Sequence, residues 1–260
     1  MIEFNDEEHK YTNRKSGRGY ISVTTFIATF KHEVDWDQMA GFCAGKISST
    51  GNDYRKMNKQ EVLAAWKINT TNALRKGSVY HDKKELEVYY ENQTLKKPLN
   101  KRRKLFKGYA KHIKLRELED GVTYPELRMY LHKYRIAGHA DIVRVNKGGI
   151  VDIEDYKTNA KPLERKGYKG KKLKFPLDFL DDCSYIHYSL QLNIYAFILE
   201  QWGYKIGKLK IRHIRFPEGV KIDKKYLDKG ETEEELRKVN IVSVKYRPDI
   251  VKLMFDAKNK

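Results

Sequence analysis

The sequence predicts an α/β protein: a central mixed β-sheet flanked by helices, preceded by an N-terminal β-hairpin and a helical region. Three observations predict it. Apolar residues recur at helical spacing across most of residues 35–118. At Gly121 the texture changes, and three strand-like runs follow one another up to Lys157. A strongly apolar helix, Ser184 to Trp202, then separates these runs from later strands. Residues 1–120 are expected to form the hairpin and the mostly helical region, and residues 121–260 the core, within one compact unit.

Met1 to Tyr20 alternates short apolar and polar runs around Gly17 and Gly19, which is a hairpin pattern. Thr24 or Thr25 is placed to cap a short helix. Asp35 to Ser48 and Lys59 to Ile68 have helical spacing. Asn72 to Glu91 reads as a longer helix, with Leu74, Val79, Leu86 and Tyr90 among its apolar positions. A basic helix is expected from about Lys101 to Leu118. Strands are expected over Tyr124–His132, Arg135–Val145 and Ile150–Lys157, the last two joined by a turn at Lys147-Gly148-Gly149. Ala160 to Asp178 is polar and lysine-rich and reads as a loop. Beyond the apolar helix come a strand over Lys208–Phe216, a charged insertion over Asp223–Arg237 and a strand around Ile241–Tyr246. Pro248 suits the first turn of a C-terminal helix.

Charge narrows the partners. Lys and Arg number 53 against 35 Asp and Glu, a formal net charge of +18. That excess favours a polyanion. Neither end reads as a basic amphipathic helix, so nucleic acid is favoured over an anionic membrane. No run approaches the ~18 consecutive apolar residues of a membrane span. Met1 to Lys10 lacks the basic and apolar regions of a signal peptide, so a cytoplasmic location is expected. Cys43 and Cys183 form no C-x-x-C pair and cannot build a four-cysteine zinc or iron–sulfur site. Gly41 to Lys46 is one residue short of a P-loop and lacks its Ser or Thr, so no ATP site is expected.

Side chains alternate faces along a strand. Over Ile150–Lys157, Asp155 and Lys157 therefore share one face, and Glu154 and Tyr156 the other. Asp141, on the preceding strand of the same hairpin, can approach Asp155. The flanking Ile150, Val151 and Ile153 mark a central strand, where a buried Asp needs a strong partner. Two carboxylates, a backbone carbonyl (that of Tyr156) and water make a hard oxygen site suited to Mg²⁺ or Mn²⁺. The Lys157 amine would lie beside it, to orient or help deprotonate an attacking water. The competing reading is a surface Asp155–Lys157 ion pair, worth about 0–1 kcal/mol. Glu154 faces away and is read as off-site. His139, two residues before Asp141, is read as a neighbour of the site rather than a ligand.

Gly138-His139-Ala140-Asp141 followed by Asp155-Tyr156-Lys157-Thr158 resembles motifs II and III of the PD-(D/E)xK nucleases, specifically their RecB-type branch. Gly77-Ser78-Val79-Tyr80-His81 resembles that branch's G-x-x-x-H motif. Gln191-Leu192-Asn193-Ile194-Tyr195 resembles its Q-x-x-x-Y motif. The four elements occur in family order between Gly77 and Tyr195, roughly half the chain. In each helical motif the two named residues are four apart and share a face.

The resemblance implies a restriction-endonuclease-like core. It makes His81 an imidazole ligand beside Asp141 and Asp155, makes Lys157 the catalytic amine, and sets Gln191 and Tyr195 along the site. Glu126, after Pro125, matches an acidic position of many members; it would bind a metal directly or through water, or stand as an exposed strand residue. The implied activity is DNA hydrolysis by a stand-alone exonuclease of phage or organellar type, acting on single strands or free ends. The implied setting is a bacterium or phage-infected cell, with a replication or recombination protein as partner and a DNA channel lined by the helices before Gly121. Members with an iron–sulfur cluster carry four cysteines that this chain lacks. A nicking or structure-specific endonuclease, and a non-catalytic DNA-binding protein on a nuclease fold, are the alternatives. Two basic clusters are expected to meet DNA: Lys101, Arg102, Arg103 and Lys104, and then Lys161, Arg165, Lys166 and Lys169 with Tyr168 among them. Such side chains follow phosphates and stack on bases; a solvated charge run is the other reading of each cluster.

Overall fold

The N-terminal residues form three strands where the sequence predicts a hairpin. β1 (Ile2–Asn5), β2 (Lys10–Asn13) and β3 (Gly19–Ser22) pair antiparallel in order. Gly17, at φ 65°, closes the turn into β3, and the Asn13 carboxamide oxygen accepts from the amides of Lys15 and Ser16. The computed structural model describes residues 2–5, 10–13, 15–48, 51–91, 118–159, 161–215 and 238–258.

Ser22 ends β3 in an extended conformation and caps α1 (Val23–Ala28), its hydroxyl accepting from Thr25 N at 3.0 Å. The cap therefore falls upstream of the predicted Thr24 or Thr25. Asp35 caps α2 (Trp36–Cys43) through Gln38 N. This helix is shorter than predicted, because the chain turns at Gly45 with φ 71°. Two predicted helices are one: α3 runs without a break over Lys59–Glu91. Asn58 and Glu61 open it with reciprocal bonds of 2.8 and 3.0 Å between side chains and amides. The polar stretch Asn69–Asn72 does not interrupt it, and within it the Thr71 hydroxyl donates back to the Lys67 carbonyl at 2.9 Å. Of the predicted basic helix, all but Leu118 lies outside the described residues, as does the charged insertion Asp223–Arg237.

The core sheet follows the predicted strands closely. β4 (Thr123–Leu131) pairs antiparallel with β5 (Ile136–Asn146). Gly148 and Gly149, both at positive φ, turn the chain into β6 (Ile150–Lys157). The apolar helix α4 (Ser184–Gln201) then crosses over to β7 (Lys205–Arg215), which pairs parallel with β6. β8 (Lys238–Val244) adds an antiparallel edge, and α5 (Pro248–Lys258) closes the described chain. The sheet is thus mixed and flanked by helices, with strand order β1-β2-β3-β5-β6-β7-β8 and β4 against β5 off that path.

α4 is apolar on nearly every side because it is covered on nearly every side. Leu192, Ile194, Ile198 and Leu199 are inaccessible to solvent and pack in one cluster with Val151, Ile153, Ile211 and Phe255. Burying each such side chain contributes about 1.5–3 kcal/mol. Against this background the buried polar residues of α4 stand out: Gln191 faces the strands, while Asn193 binds the Lys245 carbonyl and the Arg247 amide beyond β8. Among the described residues no helix is long and apolar enough to cross a membrane.

Candidate active site

One edge of β5 is shared by two partners. Its first residues pair with β3, and its last pair with β6 in a ladder that stops at Ile142 opposite Glu154. Gly138 to Asp141 fall between. Just past the end of the ladder a side chain replaces the main chain: the Tyr156 N–H donates to Asp141 Oδ2 at 2.6 Å. Asp141 therefore sits in the fork where β5 and β6 part. Across β4, Glu126 lies between the paired positions Pro125–Ile142 and Leu127–Ala140, with a left-handed φ of 47°. A side chain held there costs on the order of 1–3 kcal/mol. The carboxylate it carries reaches the same fork.

α3 brings His81 to these two acids. His81 Nδ1 lies 3.3 Å from Asp141 Oδ1 and 3.7 Å from Glu126 Oε1. One ligand atom from each of the three residues can be chosen so that all lie within 4.8 Å of one another. An imidazole nitrogen and two carboxylate oxygens at that spacing could hold a divalent cation. The electrostatics follow from the crowding. Burial disfavours the His81 imidazolium, but Asp141 and then Glu126 outweigh it and hold the ring up at about 11. Burial also raises the Glu126 carboxyl, with His81 opposing. For Asp141 burial pushes up, yet His81, Lys157 and the Tyr156 amide bring it below its usual value.

Asp155 lies outside that trio and is almost fully buried, at 1% exposure. Its Oδ1 accepts from Gln191 Nε2 at 3.2 Å. Its Oδ2 forms an ion pair with Lys157 Nζ at 2.5 Å. Burial pushes the Asp155 carboxyl up to about 6; Lys157 opposes and Asp141 adds to the push. Burial would lower the Lys157 amine, but Asp155 and Asp141 raise it, so it stands as an ammonium. The ammonium lies over the Tyr188 ring, 4.8 Å from its centre.

α4 supports this pair with one stripe of side chains. Tyr188, Gln191 and Tyr195 are spaced i, i+3 and i+7. Gln191 Nε2 also donates to the Tyr195 hydroxyl at 3.1 Å. Tyr195 in turn needs Gly138: a Cβ there would come within 2.7 Å of Tyr195 Cε1. On the other side, a Cβ on Gly77 would stand 3.2 Å from Thr158 Oγ1, so that glycine lets α3 lie close to the end of β6.

A cleft of about 720 Å³ joins these parts. His81, Glu126, Asp141, Tyr156, Lys157 and Tyr195 line it, while Asp155 and Gln191 stand behind them. His139 lines it as well, bonded to Arg128 and Tyr11 rather than to the trio. Glu154 points elsewhere, to Arg212 and Lys210. Lys161, Arg165, Lys166, Tyr168 and Lys169 follow β6 but do not line the cleft; Tyr168 is exposed and Arg165 stacks on Tyr185 at 4.4 Å. Lys101, Arg102, Arg103 and Lys104 lie outside the described residues. Sequence reading missed Tyr188, although its spacing from Gln191 and Tyr195 puts it on their helix face. It also missed Arg128, whose signal is its position two residues after Glu126 on one strand.

No protein-family model and no curated protein matches the chain. A matching solved structure is a protein of Eubacterium rectale named "Putative exonuclease". It is 13% identical at a TM-score of 0.31, over 92% of this chain and 79% of that one. At that score the likeness does not define a shared fold.

Proposed function

We propose that the protein is a divalent-metal-dependent nuclease that hydrolyses DNA phosphodiester bonds, acting as an exonuclease on single strands or strand ends. The observation that carries this reading is the meeting, in one cleft, of the His81–Glu126–Asp141 trio with Lys157, which is paired to the buried Asp155 behind it. The donor set suits Mg²⁺ or Mn²⁺. In this reading His81, Asp141 and Glu126 would hold the cation, which would take the place of the proton that the two acids keep on His81, with Asp155 and the Tyr156 carbonyl completing its surroundings. When bound, the cation supplies Lewis-acid polarisation of the phosphate and a lowered pKa for attacking water. The Lys157 ammonium faces the phosphate and stabilises the negative charge that develops on its oxygens. Asp155 fixes that ammonium, Gln191 fixes Asp155, and the Tyr188 ring limits where the amine can turn. The net charge of +18 supports a polyanionic substrate.

The test is cleavage of end-labelled linear and closed circular DNA, single- and double-stranded, with Mg²⁺, Mn²⁺ or EDTA. The expected result is metal-dependent degradation of linear single strands, no cutting in EDTA and intact circles. Cutting of circular single strands replaces the exonuclease with an endonuclease. No cleavage of any DNA or RNA across a metal titration overturns the enzymatic reading and leaves a DNA-binding protein.

A further inference from the structure

α4 opens with two tyrosines one turn apart, Tyr185 and Tyr188, and each carries a cation over its ring. Lys157 Nζ lies 4.8 Å from the centre of the Tyr188 ring, and both residues line the cleft. The Arg165 guanidinium lies 4.4 Å from the centre of the Tyr185 ring, and neither residue lines it. The chemistry above uses the first pair and leaves the second without a part.

Backbone bonds hold the second pair in place. The Glu164 amide donates to Ser184 Oγ at 2.9 Å, and the Tyr185 amide donates to the Glu164 carbonyl at 3.1 Å. The residue before Arg165 is thus tied to the start of α4. The Gly167 amide donates to Asp181 Oδ1 at 3.2 Å, and a Cβ on Gly167 would overlap the Lys171 carbonyl, so the chain after Arg165 folds tightly on itself. Asn159 fixes the exit from β6: His213 Nε2 donates to its carbonyl at 2.8 Å, and its own side chain donates to the Lys161 carbonyl at 3.0 Å. The Tyr185 ring is half-buried and packs on the main core.

Arg165 itself is exposed and forms no ion pair among the described residues, with the adjacent Glu164 or with any other acid. The acids across the loop are engaged elsewhere: Asp181 with Lys172 at 3.3 Å, and Asp182 with Lys171 at 3.3 Å and His187 at 2.8 Å. A cation–ring contact is weak where water reaches it. It occupies the face of a guanidinium and leaves the N–H edge, whose fork matches a phosphate. Residues three apart on a helix are separated by about 4.5 Å of rise. A nucleotide advances about 3.4 Å along a stacked strand, and more along one drawn out. A strand whose scissile phosphate meets Lys157 over Tyr188 thus brings a neighbouring phosphate to Arg165 over Tyr185.

We infer that Arg165 binds a non-scissile phosphate next to the one cleaved, with Tyr185 as its positioning residue, so that the substrate strand runs along the first two turns of α4. This rests on the nuclease reading of the cleft.

The experiment measures binding without cleavage. A fluorescent oligothymidylate is titrated in EDTA over a range of salt with wild type, Arg165→Ala, Arg165→Lys, Tyr185→Phe, Tyr185→Leu and Lys252→Ala, each checked for folding by thermal melting. Lys252, exposed on α5, controls for the loss of a charge elsewhere. Loss of one phosphate contact lowers the magnitude of the log–log salt slope by about 0.7 for single strands. Arg165→Ala shows that drop and binds about 10-fold more weakly or worse; Lys252→Ala shows neither. Arg165→Lys and Tyr185→Leu keep the charge and the slope but bind more weakly, and Tyr185→Phe, which keeps the ring, restores what Tyr185→Leu loses. A merely structural defect does not give that split. Oligonucleotides with one neutral methylphosphonate at successive positions find the contact: wild type loses affinity at one position, and Arg165→Ala loses nothing further there.

An unchanged slope in folded Arg165→Ala, or an equal drop in Lys252→Ala, overturns the assignment; if wild type still cleaves, the nuclease reading stands. If wild type cleaves nothing, the nuclease reading falls, and the slope and the scan still decide whether Arg165 touches phosphate. Should Arg165→Ala not fold, the scan is run on Arg165→Lys, which loses less than wild type at the contact position; equal losses for both proteins at every position overturn the inference.

Discussion

Glu154 and Asp155 are neighbours on β6, and both are nearly sealed from solvent, at 2% and 1% exposure. Their surroundings drive them in opposite directions. Glu154 Oε2 accepts from Arg212 Nε at 2.5 Å and Oε1 from Lys210 Nζ at 3.3 Å, with Arg144 Nη1 at 3.6 Å. Burial alone would raise its carboxyl, but Arg212 and then Lys210 carry it below the usual range. Asp155 has one ammonium, one carboxamide and another carboxylate nearby, and burial leaves it at about 6. One face of the strand thus has its negative charge matched by three cations, and the other is short of positive charge. A saturated buried carboxylate reads as architecture. An undersupplied one beside two acids and a histidine is what the proposed nuclease chemistry would need next to a cation.

The largest expected difference lies in catalysis. Asp155→Ala, Asp141→Ala and Lys157→Ala should each lower the cleavage rate by about 10²–10³-fold or more, with DNA binding largely kept in gel-shift assays. Glu154→Gln should leave kcat per folded molecule near wild type. An equal loss from Glu154→Gln would erase the contrast, and full activity in Asp155→Ala would remove the site itself.

Stability should show the reverse order. Glu154→Gln leaves Arg212 and Lys210 without their anion, so denaturant unfolding at pH 7 should show a loss of about 3 kcal/mol. The pH dependence has a definite sign. The Glu154 carboxyl is depressed in the folded protein, so its contribution is present above the unfolded value near 4.3 and fades as pH falls through the lower folded value. The gap between wild type and variant should therefore narrow on acidification; a gap that widens would contradict the charge cluster.

Two glycines give smaller tests of how the site is packed. Gly138→Ala drives a Cβ into Tyr195 at 2.7 Å. It should cost about 1–3 kcal/mol and slow cleavage by shifting the Tyr195–Gln191–Asp155 chain. Gly77→Ala gains up to about 1 kcal/mol of helix stability against a 3.2 Å contact with Thr158. A thermal melt should move little, and a large destabilisation there would mean that α3 sits tighter on β6 than this contact implies.

Sequence by itself determined the strands of the core, the Gly148–Gly149 turn and the two-residue alternation that separates Asp155 and Lys157 from Glu154. It likewise determined that Gln191 and Tyr195 share a face of α4, because both periodicities are local and survive without knowledge of the rest of the chain. Other features needed the tertiary structure. The ladder between β5 and β6 ends at Ile142, so Asp141 turns its side chain to a backbone amide and into the fork. Glu126 joins it from a position where the backbone is left-handed. His139, expected beside the acids, is held by Arg128 and Tyr11 from two other strands. Periodicity records which face a residue occupies. Where pairing stops, and which distant side chain stands opposite, depends on contacts far apart in sequence, and those decided that His81, Glu126 and Asp141 meet in one cleft with Asp155 behind it.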